Sequence, residues 1–288
     1  MWSIGIYSGS SPFNLRPAVA NPVLAAAQIN DLKAAFIADP FMLPMASGWC
    51  LFFEILPDAG RASAADPHAG AKGVIGMATS DDGFDWRYQG VVLEEPWHLS
   101  YPHVFNWRGR HYMVPETLGA NAVRLYQATA FPQRWQLCAE LLEGQHADAT
   151  PFYYQQRWWM FTCPRPQQHD CLALYHADAL SGPWRLHPRS PIIADDVSRA
   201  RPAGRVLHWQ GRLFRFAQDC RPRYGSAVRV FEITRLSTTE YLEHEHADSP
   251  ILQPSGNGWN GRNMHHIDVQ PDAGGGWLAC VDGYRMTA

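Results

Sequence analysis

The chain has 288 residues, 46% of them hydrophobic, enough to bury a large core and to exclude an intrinsically disordered chain. Its 24 Lys and Arg against 27 Asp and Glu leave a net charge of -3, so no global positive field supports sequence-independent nucleic-acid binding. Twelve Trp, thirteen Phe and eleven Tyr beside 22 Pro and 23 Gly favour short strands and turns over helices, an all-β class.

The first residues, Ile4-Gly5-Ile6-Tyr7, read as a strand; a turn and Pro22-Val23-Leu24 follow. They hold no basic leader, and no apolar run reaches the ~18 residues of a membrane span, so a cytoplasmic protein without such a span is expected. The Ala-rich "VLAAAQINDLKAAFI" reads as a short helix or as a loop into the first repeat.

From there the chain repeats itself. "ADPFMLPMASGWCLFFEI", "SYPHVFNWRGRHYMVPET", "ATPFYYQQRWWMFTC" and "ARPAGRVLHWQGRLFRFAQD" share a hairpin pattern, and "HHIDVQPDAGGGWLACVDGY" fits without the Pro. Each of the first four is followed by a second strand pair, as in "GVIGMATSDDGFDWRYQGVVL". The fifth has no follower.

The missing piece is at the other end. Pro12-Phe13-Asn14-Leu15-Arg16-Pro17 aligns with Pro183-Trp184-Arg185-Leu186-His187-Pro188, and Pro22-Val23-Leu24 with Pro191-Ile192-Ile193. Equivalent positions at Pro40, Pro102, Pro151, Pro202 and Ile267 recur every 50 to 65 residues or so, roughly one four-stranded blade with its loops. The expected fold is therefore an all-β, five-bladed β-propeller spanning residues 1–288 as one unit, its last blade shared by about residues 1–30 and 262–288. Two β-sandwiches would not explain a repeat divided between the termini.

The scattered cysteines (Cys50, Cys138, Cys163, Cys171, Cys220, Cys280) form no CxxC pair and read as buried thiols of a reducing compartment. Trp86, Trp135 and Trp184 occupy equivalent repeat positions and read as packing between blades.

In a propeller the inner strands begin, and the second strands end, around one mouth of the central channel. Strand starts there are Asp39, Tyr101 with His103, Asp148, Arg201, and His265 and His266 with Asp268; second-strand ends are Glu54, Glu116, Asp219 and Asp282. Carboxyl groups crowded in a concave, partly dry site separate in pKa, which is what general acid and base work on a glycosidic bond requires. Arg199, Arg201 and Arg205 either pair with those carboxylates or bind the carboxylate or phosphate of an anionic sugar.

His265 and His266, adjacent in a strand, point to opposite faces, so at most one faces the channel. A structural histidine is preferred over a metal ligand; no metal or cofactor is expected, apart from a cation that could sit on the axis. Trp97, His98, Tyr101, Tyr224 and Trp259 are candidate platforms for sugar faces. There is no phosphate-binding Walker loop, GxSxG elbow or zinc spacing, and "DAGGGW" reads as a hairpin turn.

"ADPF", "DATPF" and "IGMATSDDGFDW" resemble the five-bladed-propeller glycosidases, the clan of arabinanases, xylosidases, invertases and levansucrases. The chain from "WSIGIY" through "NPVL", "FIADPFM", "HLSYPHVF", "RPAGR" and "MHHID" is similar to the amino-terminal domain of glucosamine inositolphosphorylceramide transferases and their bacterial relatives. The first resemblance implies a nucleophile or base at Asp39 and a pKa-tuning or hydroxyl-binding Asp at Asp148. The clan's general acid opens the fourth blade, where this chain has Ala200-Arg201-Pro202, so Glu116 or Asp219 would have to supply the proton.

Three functions remain open on these grounds. The first is a carbohydrate-active enzyme that cleaves or transfers a glycosyl unit, with Asp39, Asp148, Glu116 and Asp219 catalytic and Arg201, Arg205, Tyr101, His103, His265, His266, Asp268 and Trp97 binding substrate. The second is a non-catalytic module that binds a glycan or sugar nucleotide beside a partner transferase. The third is a scaffold that holds protein partners on its rim.

Overall fold

The computed structural model describes residues 1–58 and 71–285. Five four-stranded antiparallel sheets succeed one another around an axis. Blade one is Ala34–Pro44, Trp49–Pro57, Val74–Ser80 and Arg87–Leu93. Blade two is Ser100–Trp107, Arg110–Glu116, Ala122–Ala130 and Arg134–Glu143. Blade three is Ala147–Tyr154, Arg157–Cys163, Ala173–Ala177 and Arg185–Leu186, and blade four is Leu207–Trp209, Arg212–Asp219, Ala227–Leu236 and Tyr241–Glu245.

Blade five is built from both ends of the chain: Ile267–Pro271, Trp277–Tyr284, Trp2–Ser11 and Asn14–Pro17. Ile4 pairs with Asp282 and Ile6 with Cys280, so the expected closure is present; residues 286–288 lie outside the described part. Isolated bridges Ile4 to Leu24, Leu172 to Ile193 and Val228 to Leu252 fall at matching places in blades five, three and four, as the Pro22-Val23-Leu24 alignment requires.

Inner strands are apolar along their length because neighbouring blades cover both faces, while the outermost strands alternate or are exposed. Three first hairpins turn through Arg108-Gly109, Gln155-Gln156 and Gln210-Gly211, each with both central residues at positive φ, the turn geometry that matches strand twist. Five apolar clusters fill five seams. Ile6 and Cys280 meet Phe53 between blades five and one, Phe52 meets Tyr101 between one and two, and Val114 meets Trp158 between two and three. Phe161 meets Leu213 between three and four, and Phe216 meets Ile267 between four and five.

Trp86, Trp135 and Trp184 all belong to seam clusters, and each indole donates to a backbone carbonyl three or four residues earlier. Of the two readings of the Ala-rich segment, the loop into blade one is the one present: it holds a single 3-10 turn, Ala26–Gln28, and from Ala34 joins the first strand, because Phe36 and Ile37 are buried in blade one and burial there overrides helix propensity. Two expectations need correction. Cys138 is exposed, on the outermost strand of blade two; the other five cysteines are buried. In blade three the residue matching Pro40 and Pro102 is Ala149, two places before Pro151, as the bulge positions show.

Candidate functional site

The mouth is organised by three matching β-bulges, after Ala38, Ser100 and Ala147. The first bulge residue in each is left-handed although not glycine: Asp39 at φ 53°, Tyr101 at 44° and Asp148 at 51°. Such a conformation costs of order 1 kcal/mol or more and persists only where surroundings enforce it. Here carboxylates of the ring enforce it. Asp39 N–H donates to Asp282 Oδ2, Tyr101 N–H to Asp39 Oδ2 and Asp148 N–H to Glu116 Oε2, each at 3.2 Å and each across a blade seam.

These bulges aim Asp39 and Asp148 toward the axis, whereas Tyr101 runs across the channel. Its hydroxyl lies 2.8 Å from Thr150 Oγ1 and accepts the Gly204 N–H at 2.9 Å. Gly204, in "RPAGR", sits at φ 140°, and a Cβ there would fall 1.8 Å from the Ile267 carbonyl oxygen. Only glycine lets blade four approach this closely.

Above them opens a cavity of about 500 Å³, in the range of small-molecule sites, walled by Asp39, Glu54, Glu116, Arg201 and His265 and by the rings of Trp2 and Tyr224. Among the described residues lining it, Arg201 is the one arginine or lysine, and it is buried. Its Nε meets Asp148 Oδ2 at 2.5 Å, its Nη2 reaches Glu116 Oε2 at 3.4 Å, and its Nη1 donates to His169 Nδ1 at 2.8 Å and to the Pro166 carbonyl at 3.2 Å. Gln218 Nε2 adds a bond to Asp148 Oδ2 at 3.1 Å. The guanidinium also lies 5.2 Å from the Tyr224 ring centre.

On the opposite wall His265 stands between two carboxylates: Nδ1 is 2.8 Å from Asp282 Oδ2 and Nε2 is 3.3 Å from Asp39 Oδ1. Asp282 Oδ1 further accepts the backbone N–H groups of His265 and His266, both at 3.1 Å. Although burial opposes it, the His265 charge and these donors hold Asp282 below the usual carboxylate range, and Asp282 in turn holds His265 above the usual histidine value. Burial pushes the Asp39 carboxyl up to about 7 against the pull of His265. Burial and the nearby Asp148 charge push Glu116 up to about 8, and burial with the charges of Asp39 and Glu116 raises Glu54 well above its usual range. The pocket thus holds carboxyls that exchange protons near neutrality.

Asp39, His265 and Asp282 could also present one ligand atom each to a metal within a 4.8 Å cluster. With both imidazole nitrogens beside carboxylates and its proton affinity raised, His265 is better suited to carry a proton than to bind a cation.

Of the expected site residues, Asp39, Glu116, Arg201 and His265 line the cavity, and Asp148 lies just behind Arg201. Arg205, Asp268, His103 and His266 form a deeper layer. Arg205 Nε meets Asp268 Oδ1 at 2.8 Å, while the buried ring nitrogens of His103 and His266, on either side of Phe41, have no hydrogen-bond partner among the described residues.

Asp219, Arg199, Trp97 and Trp259 do not join the cavity. Asp219 points away, 2.7 Å from Arg229 Nη2, because the pleat of its strand gives the inward position to Gln218 one residue earlier. Arg199 pairs outward with Asp196. Trp97 packs under Arg124, 4.6 Å from its guanidinium, and Trp259 lies flat over Gly5 and Gly283 in blade five. His98 does line the cavity; it accepts the Gly73 N–H on Nδ1 and approaches Glu54 with Nε2. Sequence reasoning missed Gln218, His169 and Trp2. Repeat alignment with Glu54 and Glu116 would have found Gln218, but nothing local marks His169 or Trp2, which stacks on His265 at 4.2 Å.

Fold and mouth together define a five-bladed β-propeller with ionisable groups from several blades gathered on one axial cavity. The same fold occurs in the α-L-arabinanase of Cellvibrio cellulosa, solved with arabinohexaose, with a TM-score of 0.55 and 14% identity over 84% of this chain and 90% of that one. The chain belongs to the family described as glucosamine inositolphosphorylceramide transferase 1, N-terminal, which matches residues 1–284. It is 35% identical to glucosamine inositolphosphorylceramide transferase 1 of Oryza sativa subsp. japonica over 308 residues, covering 99% of this chain and 40% of the relative. The protein of that name from Arabidopsis thaliana is 34% identical over 310 residues, with 100% and 39% covered. The chain therefore spans about two fifths of the length of the curated relatives it matches. No described helix is long and apolar enough to cross a membrane.

Proposed function

We propose that this chain is a carbohydrate-active propeller that seats one sugar unit in the mouth and cleaves or transfers it. Asp39 is the base and Glu116 the proton donor. The observation that carries this reading is the Asp282, His265 and Asp39 series on the wall of a polar cavity, where burial pushes the Asp39 carboxyl up to about 7. Ionised Asp39 takes the proton of a water or acceptor hydroxyl as its oxygen bonds to the anomeric carbon. The glycosidic bond breaks, and its oxygen leaves with the Glu116 proton. Asp39 can share its proton with His265, whose charge Asp282 stabilises. Arg201, its guanidinium paired with Asp148, faces the sugar, and Trp2 and Tyr224 offer ring faces to it.

The test is turnover of a panel of aryl glycosides and oligosaccharides by the purified chain and by Asp39→Asn. Turnover that survives the substitution removes Asp39 from the mechanism.

Arg201 itself favours a second reading. It occupies the fourth-blade place where the resembling glycosidases carry their acid, and it neutralises Asp148 and Glu116, which suits recognition without cleavage. The chain would then be a glycan or sugar-nucleotide module serving a partner transferase. Saturable binding without turnover, lost in Arg201→Gln, is its signature.

A further inference from the structure

A trough of about 500 Å³ lies beside the mouth, lined by Arg223, Arg262 and Arg285 and by the glycine-rich turn of residues 256–261. No acidic residue lines it. All three arginines are exposed, and none makes an ion pair or a side-chain hydrogen bond among the described residues. Elsewhere this chain pairs its clustered arginines, as Arg199 with Asp196, Arg212 with Glu232 and Arg229 with both Asp219 and Glu245. Three unpaired guanidinium groups on one trough offer planar forks of N–H donors from which an anion can accept.

The turn leaves room beside the arginines. Gly256 and Gly258 hold φ at 82° and 66°, and a Cβ at either would meet nothing within 4 Å, so the backbone there lies open to a ligand. The trough also has a fixed relation to the sugar cavity. Arg223 directly precedes Tyr224, whose ring faces that cavity, and Asn263, next to Arg262, donates to the Tyr224 carbonyl at 2.6 Å. Arg262 N–H bonds the carbonyl of Tyr284, whose ring touches Trp2 on the mouth wall.

We propose that Arg223, Arg262 and Arg285 form a subsite for the phosphate group of a phosphorylated sugar ligand whose sugar occupies the mouth. This rests on the proposed function for the sugar and on the arginine geometry alone for the phosphate. Phosphate is favoured over a carboxylate because three arginines line the trough, and a single bidentate fork already engages both oxygens of a carboxylate.

Calorimetric titration of the full chain at low salt tests it with inorganic phosphate, glucose 1-phosphate, glucose, and phosphatidylcholine vesicles with and without phosphatidylinositol. Arg223→Gln, Arg262→Gln and Arg285→Gln combined should weaken inorganic phosphate by about tenfold or more, and raising salt should weaken the wild type in the same direction. Arg134→Gln, in blade two, should leave it unchanged. Glucose 1-phosphate binding more tightly than either phosphate or glucose supports the joined site. Binding of phosphatidylinositol vesicles without glucose 1-phosphate supports a lipid headgroup as the phosphate source. Equal phosphate binding by the triple variant, or none by the wild type, overturns the subsite. Phosphate binding lost in the triple variant, with no gain from the attached sugar in either form, keeps the anion site and overturns its link to the mouth.

Discussion

Arg201 Nε lies 2.5 Å from Asp148 Oδ2 across the seam between blades four and three, with 10% and 3% of the two side chains exposed. The same guanidinium reaches Glu116 from blade two, so one cation ties three blades together at the mouth.

Removing that cation should be costly. Arg201→Gln leaves Asp148 buried without its cation, and a loss of about 3–5 kcal/mol in unfolding free energy is expected. Arg201→Lys keeps the charge but loses the fork and should fall between the two. Urea denaturation followed by tryptophan fluorescence measures both, and an unchanged midpoint in Arg201→Gln would show that the contact contributes nothing.

Stability should depend on pH through the raised carboxyls. Asp39 at about 7 and Glu116 at about 8 bind protons in the fold over a range where the unfolded chain has released them. Their contribution is complete below the ordinary carboxylate value and declines as pH rises to about 7 and 8, above which it is gone. His265, also raised, declines with pH in the same sense, whereas the depressed Asp282 contributes at neutral pH and loses its contribution in acid. The denaturation midpoint of the wild type should drop between pH 5 and 8, and Asp39→Asn with Glu116→Gln should flatten that drop. A wild-type profile already flat over this range would contradict the raised values.

Any glycosidase turnover should follow a bell-shaped profile. Its rising limb belongs to ionisation of Asp39 near 7 and its falling limb to loss of the Glu116 proton near 8. Asp39→Asn and Glu116→Gln should each lower kcat by about 100- to 10,000-fold. His265→Gln should instead shift the rising limb, because it acts on Asp39 rather than on substrate. A rising limb that stays in place in His265→Gln separates the relay from the chemistry.

The terminal strand should be structural for the whole ring. Ile4 and Ile6 are fully buried in the seam between blades five and one, and Ile6→Ala should cost about 2–5 kcal/mol. Deleting residues 1–20 strips the outer half of blade five and should abolish cooperative unfolding. Circular dichroism melts would detect this, and an intact transition in the truncated chain would mean that the ring does not need its closure.

Gly204→Ala should be among the most damaging small substitutions. Its Cβ would overlap the Ile267 carbonyl and push blade four off blade five, and the bond from the Gly204 N–H to Tyr101 would break with it. Soluble yield and thermal midpoint report this directly.

Much of this architecture was legible in the chain. The hairpin repeat, the orphan strands at the start and the Pro22-Val23-Leu24 match led to a five-bladed ring closed in blade five, because a blade is a local unit of consecutive strands whose pattern survives in sequence. Asp39, Glu116, Arg201 and His265 were legible as mouth residues for the same reason. Asp219 was misassigned by a single residue: a strand alternates faces at every step, so Gln218 and Asp219 have opposite fates that composition does not distinguish. Trp97 and Trp259 read as sugar platforms in the sequence, but loop position alone does not say whether a ring faces the cavity or the flank, and both rings pack on the flank.

The sequence by itself determined the ring, its closure and the roster of charged groups near the axis, all set by periodicity along the chain. Only the tertiary structure decided that Arg201 neutralises Asp148, that His265 bridges Asp39 and Asp282, and that Arg223, Arg262 and Arg285 share an unpaired trough. Those relations join residues from different blades, or from separate loops, and depend on distances of a few ångströms across seams, where burial and mutual charge set each proton's affinity; no spacing along one strand encodes them.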